Sequence, residues 1–161
     1  MIVAVLADTH VRAGGSTRLT EPAWNVVRGS DVVLHAGDVV DDSLLDALRA
    51  IAPVYVVRGN NDVTLHALPE TLELELDGVR VAMVHDSGAT RGREGRMHRR
   101  FPNADLVVFG HSHIPWDASG EGAQHLFNPG SATLRRRQPH KTMGRITIAA
   151  GAFVTELLVV D

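Results

Sequence analysis

The chain has 161 residues and a mass of 17.4 kDa, the size of one domain able to bury about two-thirds of its unfolded surface. Its 44% hydrophobic and 22% charged residues exclude a disordered chain, and a formal net charge of -3 disfavours binding to a nucleic-acid polymer. Cysteine is absent, which excludes disulfides, thiolate zinc sites and a cysteine nucleophile, whereas histidine occurs 9 times.

Residues 2–7 form an apolar, β-branched run, the pattern of a strand buried on both faces. No basic segment precedes it and Asp8-Thr9-His10 follows at once, so it is read as a strand rather than a leader peptide. Apolar runs stay well short of the roughly 18 residues of a membrane helix, and a cytoplasmic location with no membrane partner is expected. Residues 21–28 predict a helix, with Pro22 near its start and Gly29 just past its end. The next apolar run, 32–34, leads through His35 to Gly37-Asp38. A second helix is expected over 43–50, with Leu44, Leu45 and Leu48 on one stripe and Asp41 and Asp42 at the entry. Run 54–57 repeats the pattern of a strand buried on both faces and precedes Gly59-Asn60-Asn61-Asp62. Residues 72–76 alternate Leu with Glu, and Asp77-Gly78 then joins them to 79–84 as a hairpin with a type I′ turn.

Run 81–84 passes into His85-Asp86. The Gly- and Arg-rich stretch 88–96 is expected to be a rim loop, in which Arg91, Arg93 or Arg96 offers a clamp for an anion, and 95–101 a short basic helix. Run 106–109 ends in Gly110-His111-Ser112-His113. Loops 14–20, 88–96 and 116–122 are expected to shape the pocket. Arg135-Arg136-Arg137 reads as a solvated surface run, with contact to an anionic partner or substrate as the alternative. Residues 145–150 and 152–160 predict a second hairpin turning near Gly151, whose edge offers a surface for self-association. Early strands alternate with helices and later ones pair as hairpins. The whole chain, 1–161, is therefore expected to be one layered α/β domain with a mixed sheet, compatible with two sheets face to face.

Each of the five apolar runs delivers metal-ligand residue types at its end. In open α/β sheets ligands collect beyond the carboxyl ends of the strands, so residues distant in sequence can meet there. Gly37, Gly59 and Gly110 each precede a candidate ligand and permit a sharp turn and close backbone approach. Carboxylate, amide oxygen and imidazole together suit a borderline divalent ion. Seven candidates, Asp8, His10, Asp38, Asn60, His85, His111 and His113, exceed one four-coordinate site and match two ions sharing a carboxylate. Two metals roughly 3.5–4 Å apart can hold a hydroxide and clamp a phosphoryl oxygen. His35 is expected to be packed or to support a neighbouring ligand rather than bind metal itself, and His66, His98, His125 and His140 to be structural or solvated.

At these residues the sequence resembles the calcineurin-like metallophosphoesterases, whose pattern D-x-H, G-D, G-N-x-D, a strand-end His and G-H-x-H is present in order from Asp8 to His113. Asn128-Pro129-Gly130-Ser131 is similar to a segment of the small, single-domain bacterial and archaeal phosphodiesterases of that family. The resemblance implies a four-layer α-β-β-α sandwich and a metal-dependent phosphodiesterase acting on a small phosphoester. It implies that Asp8, His10 and His113 bind a first ion, that Asp38 bridges, and that Asn60, His85 and His111 complete a second. Mn²⁺ is the expected ion, with Ni²⁺, Fe²⁺, Co²⁺, Zn²⁺ and Mg²⁺ compatible. Asp62 is expected to orient a neighbour, and Asn61 to contact substrate phosphate. Many relatives carry His at position 61. Asn cannot donate a proton as a general acid at neutral pH, so poor leaving groups should react slowly. Many also read H-G-H where this chain has His85-Asp86-Ser87. The rivals are an interaction module on the same fold, as in one endosomal-coat subunit resembling this family, and a phosphomonoesterase or nucleotide-specific hydrolase.

Overall fold

The computed structural model describes residues 1–12 and 18–161, so most of the expected pocket loop 14–20 lies outside the described residues. The elements run β1 (Ile2–Leu6), α1 (Glu21–Arg28), β2 (Val32–His35), α2 (Asp42–Arg49), β3 (Val54–Val56), β4 (Thr71–Leu76), β5 (Val79–Val84), α3 (Arg93–Arg100), β6 (Leu106–Val108), β7 (Trp116–Ser119), β8 (His125–Asn128), β9 (Thr142–Ala149) and β10 (Ala152–Val159). They form two five-stranded mixed sheets, ordered β10-β9-β1-β2-β3 and β4-β5-β6-β8-β7.

Alternation along the strands builds the layers. Val3, Val5 and Ala7 face inward with Val81, Met83, Leu106 and Val108 of the other sheet, forming the core between the sheets. Ala4 and Leu6 face the opposite way and pack with Ala23 and Val27 of α1 and Leu44, Leu45 and Leu48 of α2. On the far side, Ala82, Val84, Val107 and Phe109 pack with Met97 of α3. The result is the expected α-β-β-α order. Each buried Leu of α2 contributes about 1.5–3 kcal/mol of burial free energy.

Helix entries are set locally. The Thr20 hydroxyl accepts the Ala23 N–H at 3.3 Å and caps α1. Asp41 accepts the Ser43 N–H at 2.9 Å and caps α2, so Asp38, three residues earlier, is released from a capping role. Both expected hairpins form. Their turns carry Asp77 and Gly78 at φ 47° and 84°, and Ala150 and Gly151 at φ 50° and 76°, as type I′ geometry requires.

Three expectations need correction. The run at 54–57 is not buried on both faces: β3 is an edge strand, and Tyr55 is exposed. Residues 116–122 are not simply a loop, because Trp116–Ser119 pairs antiparallel with β8. Short runs such as Trp-Asp-Ala-Ser carry too little apolar periodicity to mark a strand; the partner supplies the order. Helix α3 starts at Arg93, which takes Arg93 and Arg96 out of the rim loop.

Candidate metal centre

Parallel pairing decides where the site falls. β1, β2 and β3 run parallel in one sheet, and β5, β6 and β8 in the other. Their carboxyl ends deliver Asp8, Asp38, Asn60, His85 and His111 to one edge of the sandwich. β8 adds Asn128.

The seven expected ligands meet there. Asp8, His10 and His113 place one donor atom each within 4.8 Å of one another, and so do Asp8, Asp38 and His85. Asp38 Oδ2 lies 3.4 Å from His10 Nε2 and 3.4 Å from His85 Nε2. Asp8 Oδ1 lies 3.7 Å from His113 Nε2 and 3.9 Å from His85 Nε2. Both carboxylates therefore stand between the two halves, where the resemblance assigned that place to Asp38. Asn60 Oδ1 completes the second half, 3.1 Å from His85 Nε2 and 2.9 Å from His111 Nδ1.

Backbone geometry aims these groups. Asp8, His10, Asp38, His111 and His113 all have left-handed backbone, with φ of 53°, 45°, 57°, 69° and 59°. Such residues cost about 1–3 kcal/mol each and cluster at functional sites. Gly37, at φ 89°, passes so close to His85 that an added Cβ would lie 2.6 Å from its Nδ1. A Cβ on Gly59 would collide with the Asp38 backbone N and carboxylate.

Supporting hydrogen bonds fix the ligands. Asp62 Oδ2 accepts the N–H groups of Asp38 at 2.9 Å and Gly59 at 2.7 Å, and Oδ1 accepts that of Val40 at 2.7 Å. Asp62 thus welds the second and third strand ends. His85 Nδ1 and His113 Nδ1 each lie 2.7 Å from a carbonyl, of Ala36 and Leu134 respectively, which leaves Nε2 turned to the centre. Asn61 donates from its side chain to Asp38 Oδ2 at 2.7 Å and from its backbone to Oδ1 at 2.8 Å.

Several supports escape sequence reasoning. Ser131 donates to the Asp8 carbonyl at 2.8 Å, Thr133 to the Thr9 carbonyl at 2.6 Å, and Asn128 to the Gly110 carbonyl at 2.9 Å. Buried His35 sits 3.0 Å from the Thr9 hydroxyl. Asn128 and Ser131 carried a sequence signal through the Asn-Pro-Gly-Ser segment, and His35 is where a supporting histidine is expected; Thr133 carried none.

Two of the three arginines expected as an anion clamp, Arg93 and Arg96, are engaged elsewhere. Arg96 donates to the carbonyls of Ser87 and Ala89, and buried Arg93 lies between the Phe109 and Trp116 rings, 4.9 Å from each centroid. The arginines beside the centre are Arg58 and Arg100, in a cleft of about 430 Å³ with His85 and His111, and the 135–137 run, beside His113.

Electrostatics fit a cation. Burial holds His113 down to about 4 and His10 below its ordinary value, so both present neutral lone pairs. Burial would raise Asp38, but hydrogen bonds from His85 and Asn61 outweigh it and keep the group well below the usual carboxylate range. For His85 burial is likewise outweighed, by Asp38, and the imidazole is raised. Burial pushes Asp8 up to about 7, and its Oδ2 is buried with no hydrogen-bond partner. Two imidazole nitrogens, His10 Nε2 and His113 Nε2, also face each other at 3.3 Å, where at most one can donate. Carboxylate oxygens that face neutral imidazole nitrogens at 3.4–3.7 Å make a donor set that suits a divalent ion.

Residues 1–151 match the calcineurin-like phosphoesterase superfamily domain. A probable metallophosphoesterase of Methanothermobacter thermautotrophicus is 32% identical over 139 residues, 84% of this chain and 80% of that protein. Among solved structures, zinc-complexed Vps29 of Entamoeba histolytica superposes with a TM-score of 0.79 at 22% identity, covering 100% of both chains. An archaeal phosphodiesterase superposes at 0.72 and 17% identity, covering 98% of this chain and 100% of its own. With its ordered ligand blocks and its α-β-β-α layers, the chain belongs to the calcineurin-like phosphoesterase superfamily.

Proposed function

We propose that this protein hydrolyses phosphodiesters of small molecules at a two-ion centre, with Mn²⁺ as the working metal. The observation that carries the reading is the convergence of seven candidate ligands from five strand ends, with carboxylate oxygens of Asp8 and Asp38 lying 3.4–3.9 Å from the imidazole nitrogens of His10, His85 and His113 and Asn60 Oδ1 beside His85 and His111. Two divalent ions there would supply a water-derived nucleophile at neutral pH and positive charge for the phosphoryl oxygens. Asp8, His10 and His113 would hold one ion and Asn60, His85 and His111 the other, with Asp38 between them. Asp62 keeps the Asp38 carboxylate in register through the backbone of both neighbouring turns. On substrate binding, the Asn61 amide is the group placed to leave Asp38 and donate to a phosphate oxygen. It offers no proton to a leaving group, which favours activated esters over alkyl ones.

Asn61 also supports the second reading, an interaction module that keeps the fold. The test is metal content of the purified protein, then hydrolysis of bis(4-nitrophenyl) phosphate and 4-nitrophenyl phosphate with added Mn²⁺, in wild type and Asp38→Asn. Diester turnover that vanishes together with bound metal in the variant is expected. Absence of turnover in metal-loaded wild type on both esters would favour the module.

A further inference from the structure

Beside His113 the molecule has a cleft of about 300 Å³ whose charged lining is Arg135, Arg136 and Arg137, with no acidic residue. All three arginines are exposed, as the sequence predicts for a solvated run. Their backbone, however, is not that of a free surface loop. Ser131 and Thr133 tie the segment to the carbonyls of Asp8 and Thr9, and the Leu134 carbonyl sits on His113 Nδ1 at 2.7 Å. Arg135 then closes the turn by donating to the carbonyls of Gln138 at 2.9 Å and Pro139 at 3.3 Å. Arg136 follows in left-handed backbone, at φ 51°. Among the described residues neither Arg136 nor Arg137 has a carboxylate partner.

The same hydrogen bonds that position the metal ligands thus hold unpaired guanidinium groups next to them. The opposite cleft differs. There Arg58 is neutralised by Glu70 at 2.6 Å, and the charge of Arg100 is matched in number by Asp86, so the lining carries no net positive charge. Three positive charges exceed what one monoanionic diester, whose phosphorus sits at the ions, would require. We infer that the arginine cleft binds a second phosphate group of the substrate, making the preferred substrate a diester that carries a further phosphomonoester. Guanidinium forks match phosphate oxygens in pairs, and such charge-assisted bonds are the strong ones.

This inference rests on the phosphodiesterase reading, and two measurements separate their failures. The first is kcat/KM for a dinucleoside monophosphate with and without a 5′-phosphate, in wild type and in the Arg136→Gln/Arg137→Gln double variant, with metal content measured in both. Wild type should prefer the phosphorylated substrate by about tenfold or more, and the double variant should bring the ratio near one at unchanged metal content. A wild-type ratio near one, or a ratio the variant leaves intact, overturns the inference. The second is calorimetric titration of metal-free protein with inorganic phosphate. Saturable binding weakened by about tenfold in the double variant supports the site even if no ester is hydrolysed, in which case the catalytic reading alone fails. Equal binding, or none, in the two metal-free proteins overturns the inference.

Discussion

Replacing Asp8 by Asn should stabilise the metal-free protein at alkaline pH, although it removes a ligand. Burial lifts the Asp8 carboxyl from 3.8 to about 7, so the folded state holds this proton more tightly than the unfolded chain. The wild-type fold therefore loses stability from this group as pH rises from about 4 to 7, and the loss levels off above 7. Three pH units correspond to roughly 4 kcal/mol in full, of which about 3 kcal/mol falls between pH 5 and pH 8. His10, His35 and His113 are all lowered by burial and act in the opposite sense, costing stability as pH falls below 6.5. Asp8 is not among the causes of their shifts, so they drop out of the difference; His85, raised in part by the Asp8 charge, loses some of that rise in the variant, which adds to the difference in the same direction. Thermal unfolding in excess chelator should thus show the melting temperature of Asp8→Asn, minus that of wild type, climbing by about 6–12 °C from pH 5 to pH 8. With Mn²⁺ near 100 times its dissociation constant, wild type should gain about 3 kcal/mol, and the variant much less, so their order at pH 8 narrows or inverts. A difference that stays flat with pH in chelator would show that the Asp8 carboxyl is not strained by burial, and the case for an ion-seeking orphan oxygen would fall with it.

Asp62→Ala should lower metal affinity by about 10–100-fold without removing a ligand, measurable by metal-competition titration, because three backbone N–H groups of the 38–40 and 59 turns lose their acceptor. Gly59→Ala should abolish metal binding and activity while the β-sheet circular dichroism persists, since the new methyl displaces the Asp38 carboxylate. Thr133→Val should cost about 1–3 kcal/mol in chemical denaturation, the penalty for leaving the buried Thr9 carbonyl without its 2.6 Å donor. Asn61→His should raise turnover of alkyl phosphodiesters relative to 4-nitrophenyl esters, with an acid limb appearing in the pH–rate profile; an unchanged ratio would mean that proton donation is not what limits wild type.

The sandwich and the ligand set were legible because both are written in local signals. Apolar runs marked β1, β2, β3, β5 and β6, each followed by Asp, Asn or His, and parallel pairing within each sheet together with the stacking of the two sheets brings those ends together. Strands β7 and β8 were not legible, because Trp116–Ser119 acquires order only from pairing across to β8. The fate of individual arginines was equally hidden. Sequence spacing places Arg93 and Arg96 near the rim, but whether a guanidinium faces solvent or packs between Phe109 and Trp116 depends on where α3 begins. The support from Thr133 acts on a carbonyl more than a hundred residues away, and no pattern of residue types encodes that.

The left-handed backbone at Asp8, His10, Asp38, His111 and His113 places a standing cost on the fold. At about 1–3 kcal/mol apiece, these conformations together approach the whole margin by which a domain stays folded, even though Asp and His tolerate them better than most residues. A bound ion offsets that backbone cost directly; without it, only the hydrogen bonds these side chains make, such as those from Asn61 to Asp38, would stand against the cost.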